Sequence, residues 1–220
     1  MADDAALRRL RRDGRGRLAQ LGTAHGDDWV GAISARGFVV ALLGAESTGK
    51  TTLAAEIGSA LAARGLSTAV VGEALREFCD ANARTPRRDE QAAIAAAQSE
   101  RIDGAAARHD VVVADTSALM IAVYSDFVFA DRSLYAGALA AQRRCDLTLV
   151  TALDLPWQPD GLQREGAHVR APVDALLRAA LAGAQIAFTT IAGAGDERVA
   201  AALRAIDAAL AARSSDAAKR

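Results

Sequence analysis

The chain has 220 residues, 51% of them apolar, and alanine alone accounts for 55; the larger apolar side chains still suffice for one core. No stretch of about 18 apolar residues is free of charge, which excludes a membrane-spanning helix, and a net charge of −1 excludes a broadly basic, nucleic-acid-binding surface. Two cysteines, Cys79 and Cys145, without metal-ligand spacing, exclude a disulfide scaffold and point to a reduced, cytoplasmic, globular protein.

Residues 1–36 form an arginine-rich extension, with six arginines between Arg8 and Arg17 and leucines at roughly helical spacing, interrupted by Gly14 and Gly16. It reads either as a frayed helix packed on the domain or as an arm that meets a partner or an anion. Trp29, Val30 and Ile33 suggest that its final third docks. Residues 37–213 then alternate between strand and helix. The continuous apolar run Phe38–Leu43 predicts a strand buried on both faces, and Lys50–Arg64 a helix closed by Gly65. Ser67–Val71 is a second strand. Helices follow over Glu73–Ala81 and Asp89–Arg108, separated at Thr85-Pro86. Val111–Ala114 is a third strand, followed by helical segments over Ser117–Phe129 and Ser133–Arg144. Leu147–Thr151 and Ala184–Ile191 are the fourth and fifth strands, Asp196–Ala212 is a closing helix, and 214–220 is a polar tail. Strands separated by helices imply crossovers, hence a parallel sheet in a three-layer α/β fold.

The richest segment for chemistry is Gly44-Ala45-Glu46-Ser47-Thr48-Gly49-Lys50-Thr51, which fits G-x-x-x-x-G-K-[ST] at every defined position, directly after a buried strand and opening a helix. Glycines let consecutive N–H groups turn inward around a phosphate, and the helix start adds the positive end of its dipole. Lysine occurs only at Lys50 and Lys219. Lys50 would supply a compact charge to the β- and γ-phosphates of ATP, and the Thr51 hydroxyl would ligate Mg²⁺. A second magnesium ligand is expected where the third strand ends, at Asp115, although Asp115, Thr116 and Ser117 could equally cap the next helix.

Glu73 follows the second strand, and ligands of open α/β sheets collect at the carboxyl ends of strands. It could orient a hydroxyl acceptor and take its proton, or serve as a dipole partner in the first turn of its helix. Arg76, one turn on, could bind substrate. The long loop after the fourth strand runs from Asp154-Leu155-Pro156-Trp157 through Asp160-Gly161 toward Pro172, a length more typical of function than of connection. Its Arg164 and Arg170 are candidates for a lid that stabilises transferring phosphate oxygens and excludes water, or else solvated loop arginines. Trp157 is explained by a docked lid or by a stacked aromatic ring.

With these residues in place, Phe38 to Ala212 resembles the ribosylnicotinamide kinase domain of the NadR family. The phosphate loop, continued by Thr52, is close to that family's G-x-E-S-[ST]-G-K-[ST]-T form. The stretch from Asp89 through Ile94-Ala95 to Gln98 looks like its helical segment beside the substrate. Asp115-Thr116 is similar to its D-T pair, Val123-Tyr124-Ser125 to the helix that follows, and Asp154-Leu155-Pro156-Trp157 with Asp160-Gly161-Leu162 to its D-[IL]-P-W…D-G-L-R signature.

The resemblance implies a P-loop kinase fold with a five-stranded parallel sheet in the order 2-3-1-4-5 and a lid loop. It implies transfer of the ATP γ-phosphate to the 5′-hydroxyl of nicotinamide riboside. It also implies Asp115 on magnesium, Asp89, Gln98 and Tyr124 on the substrate side with Glu73, Trp157 near the nicotinamide ring, and Gly193 in a loop beside the adenine. Two positions depart from the family: Ser117 replaces a frequent second acid, and Gln163 displaces the lid arginine to Arg164. The N-terminal extension is too short for an adenylyltransferase or DNA-binding domain, so neither activity is expected. The partner expected is a small-molecule nucleoside, not nucleic acid or membrane, and a homo-oligomer is compatible with the sequence. The alternatives are a P-loop kinase for another nucleoside or small metabolite, and an ATP-sensing regulatory module with little turnover.

Overall fold

A computed structural model describes residues 36–158 and 166–218. The N-terminal extension up to residue 35, Asp160-Gly161-Leu162, Gln163, Arg164 and Lys219 therefore lie outside the described residues. Five strands, β1 (Phe38–Leu43), β2 (Thr68–Val71), β3 (Val111–Asp115), β4 (Leu147–Thr151) and β5 (Thr189–Ile191), form one sheet in the order β2-β3-β1-β4-β5. Every pairing is parallel. Seven α-helices connect and close it: α1 (Lys50–Ala63), α2 (Ala74–Asn82), α3 (Gln91–Ala106), α4 (Ala118–Phe129), α5 (Tyr135–Gln142), α6 (Arg170–Gly183) and α7 (Gly195–Ala218).

The central strand explains the three layers. Successive side chains of a strand point to opposite faces, and β1 is apolar at all six positions because both faces are covered. Phe38, Val40 and Leu42 pack with Leu53, Ile57 and Leu61 of α1 and Ala202 and Ile206 of α7. Ala41 and Leu43 pack on the other face with α2, α3, α4 and α6, and Val39 with Ile102 and Ala105 of α3. α4 is buried almost all round, from Ala118 to Val123, which is why its sequence shows no polar stripe.

Several boundaries differ from the sequence expectation, three of them with a visible physical cause. β5 covers only Thr189–Ile191 rather than 184–191. Gln185 adopts a left-handed φ of 55° and Ile186 N–H bonds back to the Leu181 carbonyl, so this stretch closes α6 before extending. The closing helix does not stop at Ala212 but continues to Ala218, taking in most of the expected polar tail. Ser214 and Ser215 are accommodated because their hydroxyls donate to the carbonyls of Leu210 and Ala211, each at 3.0 Å. α5 begins at Tyr135 instead of Ser133, whose N–H is taken by the Asp131 carboxylate at 3.0 Å.

An ionic cluster fixes the turn between α2 and α3. The Arg84 guanidinium forks onto both oxygens of Glu90, at 2.7 Å each, while Arg87 N–H donates to Glu90 at 2.7 Å. Arg88 similarly holds Asp131 at 2.9 Å. The Arg84 fork and then the Arg87 amide pull the Glu90 pKa down to about 2. A carboxyl depressed on folding stabilises the native state above its unfolded pKa and loses that contribution as pH falls through the folded value. The difference in urea midpoint between the wild type and Glu90→Gln should therefore be constant above about pH 5 and shrink toward pH 2; a pH-independent difference would place the effect elsewhere.

Candidate functional site

The site is built at the carboxyl ends of β1, β2 and β3. β1 runs out at Leu43 into Gly44, whose φ is +149° and whose Cα lies so close to β4 that a Cβ would collide with Thr151 Oγ1. Ser47 (φ 53°) and Gly49 (φ 71°) are both left-handed, and Gly49 is the N-cap of α1. These turns leave the loop carbonyls to find partners in neighbouring side chains. The Ala45 carbonyl accepts from Thr48 Oγ1 and from Lys50 Nζ, each at 2.8 Å. Thr151 Oγ1 lies 2.8 Å from Thr48 Oγ1, and Arg198 Nη2 donates to the Thr48 carbonyl at 2.8 Å.

Opposite this loop stands Glu73. Gln98 of α3, fully buried, brackets it: its Oε1 accepts from Ala74 N–H at 2.7 Å and its Nε2 donates to the Gly72 carbonyl at 3.2 Å. Both ends of the Gln98 amide are thus engaged with the peptides on either side of Glu73. Arg76 Nε lies 3.7 Å from Glu73 Oε2. Ser47, Thr48, Gly49, Lys50, Thr51, Glu73, Arg76, Leu155, Pro156 and Gln158 together line one cleft of about 480 Å³. Phosphate loop and acceptor-side candidates therefore face a common space.

Asp115 ends β3 opposite Leu42 and is 3% exposed, with an Oδ1 that has no hydrogen-bond partner. It does not cap α4; Ser117 does, accepting from Leu119 N–H at 3.2 Å while donating to Gln142 Oε1 at 2.6 Å. Between them Thr116 is held at φ 81°, a conformation costly for a β-branched residue, by its N–H bond to the Leu42 carbonyl at 3.0 Å. A buried carboxylate oxygen without a partner, with the Thr51 hydroxyl at the cleft, suits a hard cation that takes most of its ligands from phosphate and water. Among the described residues no cluster of three or more His, Cys, Asp or Glu could hold a metal on its own.

The loop after β4 is seated on the phosphate loop. Ser47 Oγ accepts from Gln158 N–H at 2.8 Å and donates to the Gln158 carbonyl at 3.1 Å, and Trp157 Nε1 donates to Glu46 Oε1 at 3.3 Å. Arg170 opens α6, 8% exposed, with Nη1 on the Leu155 carbonyl at 2.9 Å. It holds the stem of this loop from within the fold. Asp89 is exposed beside Arg87, and Tyr124, within α4, is half-buried against the core; neither lines the cleft. Gly193 (φ 88°) turns the chain after β5, its N–H on Asp154 Oδ2 at 2.6 Å. Asp154, Thr151 and Arg198 are structural members of the site that the sequence did not single out. Asp154 stood in the D-L-P-W signature, whereas Arg198 is one arginine among 24 with no local motif.

A family model described as an AAA domain matches residues 39–198, and the chain belongs to that family. No curated protein matches the chain. Among the solved structures similar to the chain in fold are a NadR protein in complex with NAD and AMP-PNP and a NadR protein in complex with NR. Each has a TM-score of 0.62 and 22% identity and covers 80% of this chain. The chain is NadR-like in fold and spans about half the length of those chains, 50% and 52% respectively.

Gly44→Ala should lower the unfolding free energy by about 2 kcal/mol or more, the combined effect of a strained φ and the clash with Thr151. Urea denaturation measures it; a wild-type midpoint would mean that the loop shifts without penalty.

Proposed function

We propose that the chain is an ATP-dependent kinase that phosphorylates the 5′-hydroxyl of nicotinamide riboside to the mononucleotide. The observation that carries this reading is the shared cleft, which sets Lys50 and Thr51 against Glu73 and Arg76. The D-L-P-W signature and the ligands named for the two NadR structures, NR and AMP-PNP, support the choice of acceptor.

In the proposed reaction the ribose O5′ attacks the γ-phosphorus, a new O5′–P bond forms, and the bond from the γ-phosphorus to the β,γ-bridging oxygen breaks, releasing ADP. Lys50, with the loop N–H groups, stabilises charge on the β- and γ-phosphate oxygens. Glu73 accepts the hydroxyl proton, its carboxylate oriented by Arg76 and by the Gln98 bracket around its peptide. Thr51 and Asp115 would hold a magnesium ion, which supplies charge neutralisation on the phosphates. Ser47, through Gln158, keeps the loop after β4 over the cleft and water out of it. Trp157 and Gly193 belong to the nucleoside and adenine ends, with Arg164 as the candidate lid cation and Arg170 as the buried support of the loop's stem. In this reading residues 37–213 form the kinase unit and 1–36 an appended arm.

An ADP-release assay with Mg·ATP and a nucleoside panel tests the reading. Selective turnover of nicotinamide riboside is expected; AMP-PNP binding without turnover of any acceptor would overturn it in favour of a sensor. Lys50→Ala should lower kcat/KM by about 10²–10³, the loss typical of one preorganised donor, and wild-type turnover would remove the loop from catalysis. Glu73→Gln should lower kcat by about 10²–10⁴ with AMP-PNP affinity preserved. Parallel loss of both would make Glu73 a structural residue.

A further inference from the structure

N–H groups can face a phosphate only if the carbonyls of the same peptides face away, because C=O and N–H point oppositely across a trans peptide plane. The Thr48–Gly49 peptide illustrates the consequence. Its carbonyl is directed away from the cleft and meets Arg198 Nη2 at 2.8 Å; its N–H belongs to Gly49, which lines the cleft. The other arm of the guanidinium, Nη1, donates to the Gly193 carbonyl at 3.1 Å. Arg198 is 4% exposed. The Asp154 carboxylate lies 4.0 Å from Nη1, and its other oxygen takes the Gly193 N–H.

This is an expensive way to fill a buried position. Burial lowers the Arg198 pKa, with Asp154 only partly opposing it, and Nε has no hydrogen-bond partner. Replacing the guanidinium by an apolar side chain would leave the buried Thr48 carbonyl without its donor, so Arg198 is costly to keep and costly to remove. Its use here is in the two carbonyls it joins, one in the phosphate loop and one in the turn between β5 and α7. A planar fork spans both at once, which a point donor such as an ammonium does not.

We propose that Arg198 is a positioning residue for the nucleotide triphosphate: by holding the Thr48 carbonyl outward it aims the Gly49 N–H into the cleft, and with the same fork it fixes the β5–α7 turn relative to the phosphate loop. This rests on the reading of the loop at 44–51 as ATP-binding.

The test is titration calorimetry of the full chain with AMP-PNP and with inorganic tripolyphosphate, alongside the ligand-free melting temperature, for wild type, Arg198→Met and Arg198→Lys. Arg198→Met should raise the Kd of both ligands about tenfold, the effect of misdirecting one charge-assisted donor, and lower the melting temperature modestly through the Thr48 carbonyl left without its donor. Arg198→Lys should fall between. AMP-PNP affinity within about twofold of wild type in a folded Arg198→Met would overturn the proposal. So would a loss that tracks a fall in melting temperature and is not recovered by lysine. If Arg198→Met does not fold, weaker binding by Arg198→Lys at the wild-type melting temperature supports the proposal, and wild-type affinity there overturns it. A wild-type chain that binds neither ligand instead overturns the reading of the loop itself.

Discussion

A loop that offers its N–H groups to an anion must dispose of its carbonyls elsewhere, and much of this structure follows from that requirement. Buried carbonyls without partners cost free energy comparable to a lost hydrogen bond. Here the Ala45 carbonyl is taken by Thr48 Oγ1 and Lys50 Nζ and the Thr48 carbonyl by Arg198. Thr151 at the end of β4 ties Thr48 Oγ1 and the Leu43 carbonyl together, at 2.8 and 3.2 Å. β4 lies beside β1, so its last residue is delivered to the loop by sheet register. The close approach of β4 also explains Gly44, where there is no room for a Cβ.

The Glu73 side of the cleft obeys a related logic with different parts. Glu73 sits in extended conformation between β2 and α2, where the backbone has left one ladder and not yet entered the next. Gln98 supplies the missing partners from α3, accepting from Ala74 and donating to Gly72. A fully buried glutamine is well suited to this because its amide presents one acceptor and two donors. The same α3 packs Ile102 and Ala105 against Val39 and Val112, so the bracket is anchored to the central strands. The strained φ of Thr116, just after Asp115, lies at the end of the strand between these two halves, where strain is tolerated because β1 holds the Thr116 N–H.

What was legible in the sequence was what depends on local chemistry. The β1 run, the G-x-x-x-x-G-K-T spacing and Asp115 after four apolar residues each carry a signal within one element. The strand order came with the family resemblance and is matched by the sheet. What was not legible depends on residues far apart. Arg198 reaches Thr48 across 150 positions, and nothing next to it in sequence marks it. Gln98 was expected at the substrate, while its amide is occupied by backbone on both sides of Glu73. Arg170 was expected in the long loop running to Pro172, yet proline is tolerated in the first turn of a helix and Arg170 opens α6. Ser214 and Ser215 looked like the start of a tail, yet serines that donate to carbonyls four residues back can be carried by a helix.

The pair Glu46-Ser47 connects the two halves of the cleft. Neither side chain is required by the phosphate-loop pattern, in which both positions are free. Both are directed at the loop after β4: Ser47 pairs with both polar groups of Gln158, in the manner of a strand partner, and Glu46 receives the Trp157 indole N–H. Leu155 is meanwhile gripped from the opposite side by Arg170, and its Cδ1 would lie 3.1 Å from a Cβ at Gly49. Residues 155–158 are therefore packed on the phosphate loop itself rather than standing free above it. The phosphate loop and the segment after β4 are thus tied together by two side chains at positions the phosphate-loop pattern leaves unconstrained.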